Sequence, residues 1–405
     1  MVIFAFINSK MNQLFEKSTR KIKNVPLEFK RYLFDRINKT NRLIAVKGAR
    51  GTGKTTLLLQ LAYEHKADEV LYIALDDLFF SENTLYGLAE NFVKMGGKLL
   101  LLDEVHKYPN WSRELKLIYD DFSNLQVIFT SSSILDIYKG ESDLSRRAVT
   151  YSLSEMSFRE YLLFKEKIDL PVISLEEILE NHMEMCIALT QQFTPFKYFS
   201  EYLRIGNYPY YENNVEEYYQ KIRNTVNLIL EVDMQATENL DYQTITKLKR
   251  LLFVISSNVP FTPNIFKISE SIQLNRNALV RALQLLDRAE LIRSTYKQTK
   301  SISILNKPDK IWMHNTNLMY AISGNQIDIG TVRETFFMQN FSNNHFISLP
   351  NKGDVLVDNT FLFEIGGKNK TRKQILDFDK AFLVKDDIEI GFQNSIPLWL
   401  FGFMY

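Results

Sequence analysis

Cysteine is nearly absent: Cys186 is the only one in 405 residues. A single thiol excludes an intrachain disulfide and any cysteine-cluster zinc site. It fits a reducing compartment, so the cytoplasm is the expected location. His182 stands four residues before Cys186 on a helix-period stretch, but two ligands do not make a zinc site, and packing roles are expected for both. Long apolar runs are also lacking. The N-terminal VIFAFI is too short for the core of a signal peptide or for a membrane span, and no later stretch is long enough, so no membrane association is expected. Met11 is an alternative start, with the residues ahead of it expected to be a loosely held tail. An excess of either charge is missing too. Lys and Arg number 49 against 48 Asp and Glu, a net charge of +1, so any nucleic-acid surface must be local. The remainder, 45% apolar and 24% charged, is ordinary for a globular chain long enough for two or three domains.

Against that plain background one stretch stands out, LIAVKGARGTGKTTLLLQLA from Leu43 to Ala62. Leu43 to Val46 suit a buried parallel strand. Gly48, Gly53, Lys54 and Thr55 match G-x-x-x-x-G-K-[ST], and Leu57, Leu58, Leu61 and Ala62 follow at helical spacing. Strand, glycine loop and helix in that order predict a phosphate-binding P-loop. Backbone N–H groups of Gly48, Ala49, Arg50, Gly51, Thr52, Gly53, Lys54, Thr55 and Thr56 would donate to phosphate oxygens without desolvating a charged side chain. The helix N-terminus adds partial positive charge. Lys54 would reach the β- and γ-phosphates, and Thr55 would place its hydroxyl on Mg²⁺. ATP and Mg²⁺ are therefore the expected cofactors.

The segment before it, Val25 to Asn38, reads as a helix, either packing on the nucleotide domain or touching the adenine. VLYIALDD, from Val70, reads as a second buried strand with Asp76 and Asp77 at its end. KLLLLDEVHK, Lys98 to Lys107, predicts a central strand closing on two carboxylates, the Walker B arrangement. Asp103 would hold the Mg²⁺ shell and Glu104 would orient and deprotonate the attacking water. QVIFTSSS, Gln126 to Ser133, is a further strand ending in hydroxyls. Thr130 to Ser133 would bind the lytic water or γ-phosphate, or cap a helix over Ile134 to Tyr138; both readings stay open. Arg146 and Arg147 precede a fifth strand, and arginine, planar and permanently charged, suits transition-state charge in cis or toward a neighbouring subunit.

Taken together, GARGTGKT, LLLLDEVHKYPNW, IFTSSS, SRRA and LSEMSFREYL resemble the prokaryotic AAA-type P-loop ATPases that carry a C-terminal domain of unknown function. The likeness extends over nearly the whole chain. The resemblance implies an α/β fold with a parallel sheet of the additional-strand type. It implies that Lys54 and Thr55 are nucleotide and Mg²⁺ ligands, that Asp103 and Glu104 are the Walker B pair, and that Arg147 is the arginine of a Gly-Arg pair. Arg146 stands where that glycine usually does, a local departure.

Beyond the ATPase region, taken as residues 1–153, the character changes. Residues 154–243 read as helices (Leu175 to Leu189, Phe199 to Ile205 and Tyr218 to Met234) with RIGNYPYY as a turn, and a lid role follows by analogy alone. Residues 244–306 read as a winged helix-turn-helix. Its helices run from Thr246 to Ser256, from a cap at Asn264 to Ile272 after Pro260 and Pro263, and from Asn277 to Leu291, followed by a hairpin wing to Leu305. Its DNA-reading face would carry Arg276, Asn277, Arg281, Gln284 and Arg288, with Lys297 and Lys300 on the wing; a protein-contact role is the open alternative. NKPD, Asn306 to Asp309, imitates a guanine-reading motif but lies far from any P-loop strand and is read as a turn.

Residues 307–405 resemble a small α/β restriction-endonuclease-like domain. It would have a helix Arg333 to Phe341 bearing Glu334, strands HFISLP, DVLVDN and FLFEIGG, and a helix Gln374 to Ala381. Asp354 and Glu364 fit the carboxylate spacing of such nucleases, but Gly366 occupies the lysine position, leaving Lys368 as a substitute. GGKNKTRK is a local basic loop.

The sequence thus predicts a Mg²⁺-dependent ATPase, with Lys54, Glu104 and Arg147 as catalytic residues, whose nucleotide state controls a winged-helix and C-terminal module acting on double-stranded DNA or a protein partner. Oligomerisation is compatible with it. The rivals are a nucleotide-responsive DNA-binding or scaffold protein with little turnover, and an ATP-gated nuclease.

Overall fold

The computed structural model describes the chain apart from residues 1, 132–143, 211–213, 235–239, 258–264, 298–306, 325–326, 342–344, 373–374 and 376, and describes the side chains of the first helix from residue 11 onward. Two compact units emerge, Met1–Glu155 and Met156–Tyr405.

The first unit is built on a parallel sheet of strand order β2-β3-β4-β1-β5. Its strands are β1 (Leu43–Lys47), β2 (Val70–Ala74), β3 (Leu99–Asp103), β4 (Gln126–Ser131) and β5 (Val149–Ser152). Both faces of β1 and β3 are covered, which is why their sequences run apolar without alternation. Residues still sort by parity. Ala45, Leu100, Leu102 and Phe129 face helices α3 (Leu85–Lys94) and α4 (Trp111–Asp121) and the helix α1 (Val2–Lys23) through Met11 and Leu14. Ile44, Val46, Leu99 and Leu101 face Leu57, Leu58 and Leu61 of α2 (Lys54–Tyr63). β4 lies between β1 and β3, so the P-loop and Walker B strands are separated by one strand, as the additional-strand fold requires.

Near the N-terminus, residues 2–10 are helical and run on into the part of α1 whose Met11 and Leu14 enter the core. One reading there is corrected. Val25 to Asn38 is not one helix; only Leu33–Arg36 makes a helical turn. Side chains satisfy the backbone there instead of a helical ladder. Gln60 Nε2 donates to the carbonyls of Pro26 and Phe29, each at 2.8 Å.

The second unit gathers the three C-terminal segments into one compact body. Helices α5 (Leu175–Thr190), α6 (Pro195–Ile205), α7 (Val215–Leu228), α8 (Tyr242–Ser256), α9 (Ile265–Ile272) and α10 (Arg276–Arg288) lead to an antiparallel pair, β6 (Ile292–Thr295) with β7 (Lys310–Met313). Helices α11 (Thr316–Ser323) and α12 (Ile329–Asn340) follow. A second sheet closes the chain, in the order β12-β11-β10-β9-β8. Its strands are β8 (Ile347–Ser348), β9 (Val355–Val357), β10 (Phe361–Gly366), β11 (Ala381–Lys385) and β12 (Ser395–Pro397). Phe158, Phe199 and Tyr202 from the first helical segment pack edge-on against Phe336 and Phe403 from the last. A buried polar knot joins the same parts: Asn317 Oδ1 accepts from Asn207 N at 2.8 Å and from Tyr218 O–H at 2.6 Å. His182 and Cys186 are both buried on α5, as packing groups; burial lowers the histidine's affinity for a proton and pushes the thiol up to about 12.

Helices α8, α9 and α10 fall where the winged-helix reading put them, with Asn275 capping α10 through Ala278 N at 2.9 Å. β6 pairs with Lys310–Met313, beyond the expected end of the wing at Leu305, and Lys307 to Asp309 of NKPD precede that strand, outside the P-loop sheet; residues 298–306 of the expected wing lie outside the described residues. The helix expected over Gln374 to Ala381 is replaced: Ala381 opens β11, whose parallel pairing to Leu362 of β10 claims its backbone. Ser132 and Ser133, the helix Ile134 to Tyr138, Pro260, Pro263, the Asn264 cap, Lys300 and Gln374 lie outside the described residues.

Candidate nucleotide site

The loop between β1 and α2 sits at the carboxyl edge of the parallel sheet, where its carbonyl and amide groups are not consumed by strand pairing. Gly53 precedes α2 with φ +96°, a left-handed conformation that disfavours a side chain. A Cβ on Gly48 would come within 2.2 Å of the Leu153 carbonyl oxygen, so that position must be glycine for the loop to close on β5. Lys54 opens α2 and is 5% exposed; its ammonium donates to the carbonyls of Gly48 and Ala49 at 2.8 Å each. Thr52 Oγ1 donates to Ala49 O at 2.9 Å. Arg31, 4% exposed, braces the loop from outside: it donates to the carbonyl of Thr52 and, at 2.7 Å, to that of Ser154.

Across from the loop, the end of β3 presents Asp103, which is 3% exposed. Its carboxylate accepts three hydroxyl protons: from Thr55 at 2.6 Å, from Tyr72 at 2.8 Å, and from Thr130. Burial and the Asp103 charge push the Tyr72 phenol well above its usual range, so it stays a donor. Glu104 follows in a left-handed turn, φ +55°, with its N–H donating to Thr130 Oγ1 at 3.2 Å. Its carboxylate oxygen lies 3.5 Å from Arg50 Nη2 of the loop and 3.4 Å from His106 Nε2. His106 Nδ1 in turn lies 3.3 Å from Ser131 Oγ. Loop, hydroxyl, buried aspartate and partly buried glutamate therefore converge. Oxygen donors of this hardness, Thr55 beside Asp103, suit Mg²⁺.

Arg31, Tyr72 and His106 were not marked by sequence reasoning. His106, two residues past the acid pair, carried a local signal; Arg31 and Tyr72 carried none, because their partners are remote in the chain. Arg147 does not join this site. It precedes β5, which pairs in parallel with β1 through Ile44↔Val149, so it lies at the amino edge of the sheet. There its guanidinium donates twice to the Asp120 carboxylate, both at 2.9 Å. Arg146 is exposed.

Two other charged sites belong to the second unit. Arg276, Asn277, Arg281, Gln284 and Arg288 of α10 line one groove with Lys307, a cavity of about 440 Å³. Lys297 stands apart, bridged to Leu349. Lys307 was overlooked because it sits inside the NKPD turn. In the second sheet, the wholly buried Glu364 pairs with Lys370 Nζ at 2.7 Å, so Lys370 takes the place proposed for Lys368. Asp354 accepts from Ile365 N at 2.8 Å, and Glu334 meets Lys310 Nζ at 3.0 Å. Burial, with the Asp354 charge adding to it, raises the Glu334 pKa. Among the described residues no group of three or more His, Cys, Asp or Glu is placed to hold a metal ion, and no helix is long and apolar enough to cross a membrane.

Comparison with known proteins finds two family matches along the chain. Residues 40–162 match the family described as "AAA domain", and residues 196–328 match "Domain of unknown function (DUF8612)". The chain is 26% identical over 392 residues to the uncharacterized protein MJ1637 of Methanocaldococcus jannaschii, covering 87% of this chain and 82% of that one. A shorter match, 24% identical over 179 residues, links it to MJ1544 of the same organism, over 42% of this chain and 36% of that protein. Among solved structures it is similar to the Walker-type ATPase PABY2304 of Pyrococcus abyssi, with TM-score 0.39 and 10% identity over 76% of this chain and 95% of that one. The chain carries an AAA-type P-loop ATPase domain at residues 40–162, followed by a domain of unknown function at residues 196–328.

Proposed function

We propose that this chain binds ATP with Mg²⁺ at Gly48 to Thr56 and hydrolyses it, and that the nucleotide state governs the action of residues 156–405 on double-stranded DNA or a protein partner. The observation that carries the reading is the 2.6 Å contact between Thr55 Oγ1 and Asp103. It brings the hydroxyl of the loop and the first Walker B carboxylate face to face at the carboxyl edge of the parallel sheet. These two residues would hold Mg²⁺, whose chemistry when bound is to spread the charge of the phosphate oxygens. The loop N–H groups, the N-terminus of α2 and Lys54 hold the triphosphate.

Glu104 then acts as the base. The oxygen of a water forms a bond to the γ-phosphorus as the bond from that phosphorus to the β–γ bridging oxygen breaks. ADP leaves with the electron pair and the water's proton passes to the Glu104 carboxylate. A positioned base of this kind accounts for about 10²- to 10⁴-fold in rate. Arg147 serves a neighbouring protomer as the arginine finger, because its place at the amino edge of its own sheet does not suit its own loop; an oligomer follows from that role. Residues 154–243 serve as the lid, 244–306 as the winged helix and 307–405 as the restriction-endonuclease-like remainder. The groove holding Arg276, Asn277 and Arg281 supports DNA as partner, with Arg288 and Lys307 adding charge; Lys297, which stands apart from it, would make a separate contact.

Steady-state phosphate release from wild type, Lys54→Ala and Glu104→Gln, with and without duplex DNA, tests the proposal. Turnover in the wild type and its loss in both variants is expected. A wild type no faster than Lys54→Ala refutes hydrolysis and leaves a nucleotide-responsive binding protein.

A further inference from the structure

The last two residues of β4 address both Walker B carboxylates. Thr130 donates directly to Asp103, and its oxygen accepts the N–H of Glu104. Ser131 reaches Glu104 by way of a side chain: its hydroxyl lies 3.3 Å from His106 Nδ1, and the other ring nitrogen lies 3.4 Å from Glu104 Oε2. The His106 side chain is 3% exposed, so the imidazole is held between the strand end and the acid rather than waving in solvent. The backbone makes this possible. Glu104 adopts φ +55°, ψ 43°, and the tight turn Val105–Lys107 folds the chain back so that residue 106 faces residue 104. A non-glycine residue in that conformation is strained by roughly 1–2 kcal/mol, and such strain persists where surrounding bonds fix it.

We propose that His106 is a positioning residue for Glu104, holding its carboxylate toward the water that attacks the γ-phosphate, and that Ser131 sets the imidazole tautomer which allows this. The proposal rests on the ATPase reading above. Its chemistry is specific. In a neutral ring, a proton on Nε2 serves the Glu104 carboxylate and leaves Nδ1 as an acceptor for the Ser131 O–H. A carboxylate so tied loses rotamers that would turn it from the water, and misplacement of a reacting group by about 1 Å lowers rate by about 100-fold. A merely space-filling histidine predicts something different: any group of similar volume would serve, and the effect of removing it would not depend on Glu104.

The test uses the full chain and compares His106→Ala, His106→Gln, His106→Leu, Ser131→Ala and the double variant His106→Ala with Glu104→Gln. ATP affinity is read with a fluorescent ATP analogue, and turnover by phosphate release. His106→Ala and His106→Leu are expected to lower kcat by about 10- to 100-fold with analogue affinity changed by less than about threefold. His106→Gln, whose amide N–H can donate to the carboxylate, is expected to recover most of that loss, and Ser131→Ala to lower kcat by about 3- to 10-fold. In the Glu104→Gln background, His106→Ala is expected to have no further effect, since residues acting as a unit are not additive. Wild-type turnover with a fully active His106→Ala, or with His106→Leu as active as His106→Gln, overturns the positioning role alone. A wild type that hydrolyses no faster than Lys54→Ala overturns it together with the ATPase reading. Should His106→Ala fail to bind the analogue, the comparison of His106→Gln with Ser131→Ala decides: wild-type rates in Ser131→Ala overturn the relay.

Discussion

Replacing Arg31 tests how the nucleotide loop is held in shape. Its guanidinium is 4% exposed and donates to the carbonyls of Thr52, inside the loop, and of Ser154, just past β5. Arg31→Met keeps the apolar stem and removes the donors. Each buried carbonyl left without its charged partner is destabilising by about 1–3 kcal/mol. Loss of the buried charge relieves some desolvation, which offsets part of this. The two unmatched carbonyls outweigh it, for a net loss of about 2–4 kcal/mol. In a unit of this size about 1 kcal/mol moves the midpoint by about 2–4 °C, so a fall near 10 °C is expected. Thermal unfolding of the full chain, followed by circular dichroism, reads the change, and a fluorescent ATP analogue reads the weakening of the loop. Arg31→Lys, able to serve one carbonyl at a time, is expected to fall about half as far. An Arg31→Met midpoint within about 2 °C of wild type, or a lysine variant no better than methionine, refutes the bracing argument.

Three further outcomes follow from particular contacts. Gly48→Ala drives a methyl to within 2.2 Å of the Leu153 carbonyl, so analogue binding is expected to weaken at least tenfold, measured by titration. Arg276→Ala with Arg281→Ala is expected to reduce a duplex-DNA gel shift and to lower the slope of log affinity against log salt by about two, since each phosphate contact contributes roughly 0.9; an unchanged slope removes α10 from the DNA-binding surface. Glu334 has its pKa raised above the ordinary 4.5, chiefly by burial. The unfolded chain therefore releases this proton first, and stability falls as pH rises from 4.5 through the raised value. Glu334→Gln is expected to escape that fall, so its midpoint gains on wild type as pH increases across this window; a constant gap in melting curves from pH 4 to 7 contradicts the assignment.

Much of the first site is legible because its chemistry is local. Gly48, Gly53, Lys54 and Thr55 declare a phosphate loop within a few residues, and the leucines ahead of Asp103 and Glu104 declare a strand end. Corrections arise where the decisive partner is distant. Val25 to Asn38 has helical periodicity, but Gln60 and Arg31 offer the backbone and loop better partners than a helix would. β6 pairs with Lys310–Met313, whose Ile311, Trp312 and Met313 are buried. Lys370 rather than Lys368 meets Glu364 because the chain turns after Gly366 instead of continuing extended.

What the residue order alone determined is the chemistry on offer: a glycine cradle, a lysine, a hydroxyl and an acid pair, each specified by neighbours along the chain. Tertiary structure decided who faces whom. Parallel strands put β4 between β1 and β3, and so set Thr130 on Asp103 and Ser131 behind His106, while Arg147 went to the far edge of the sheet. The physical reason is that strand order and register are chosen by burial of both sheet faces, a sum over the whole core that no short stretch of sequence contains.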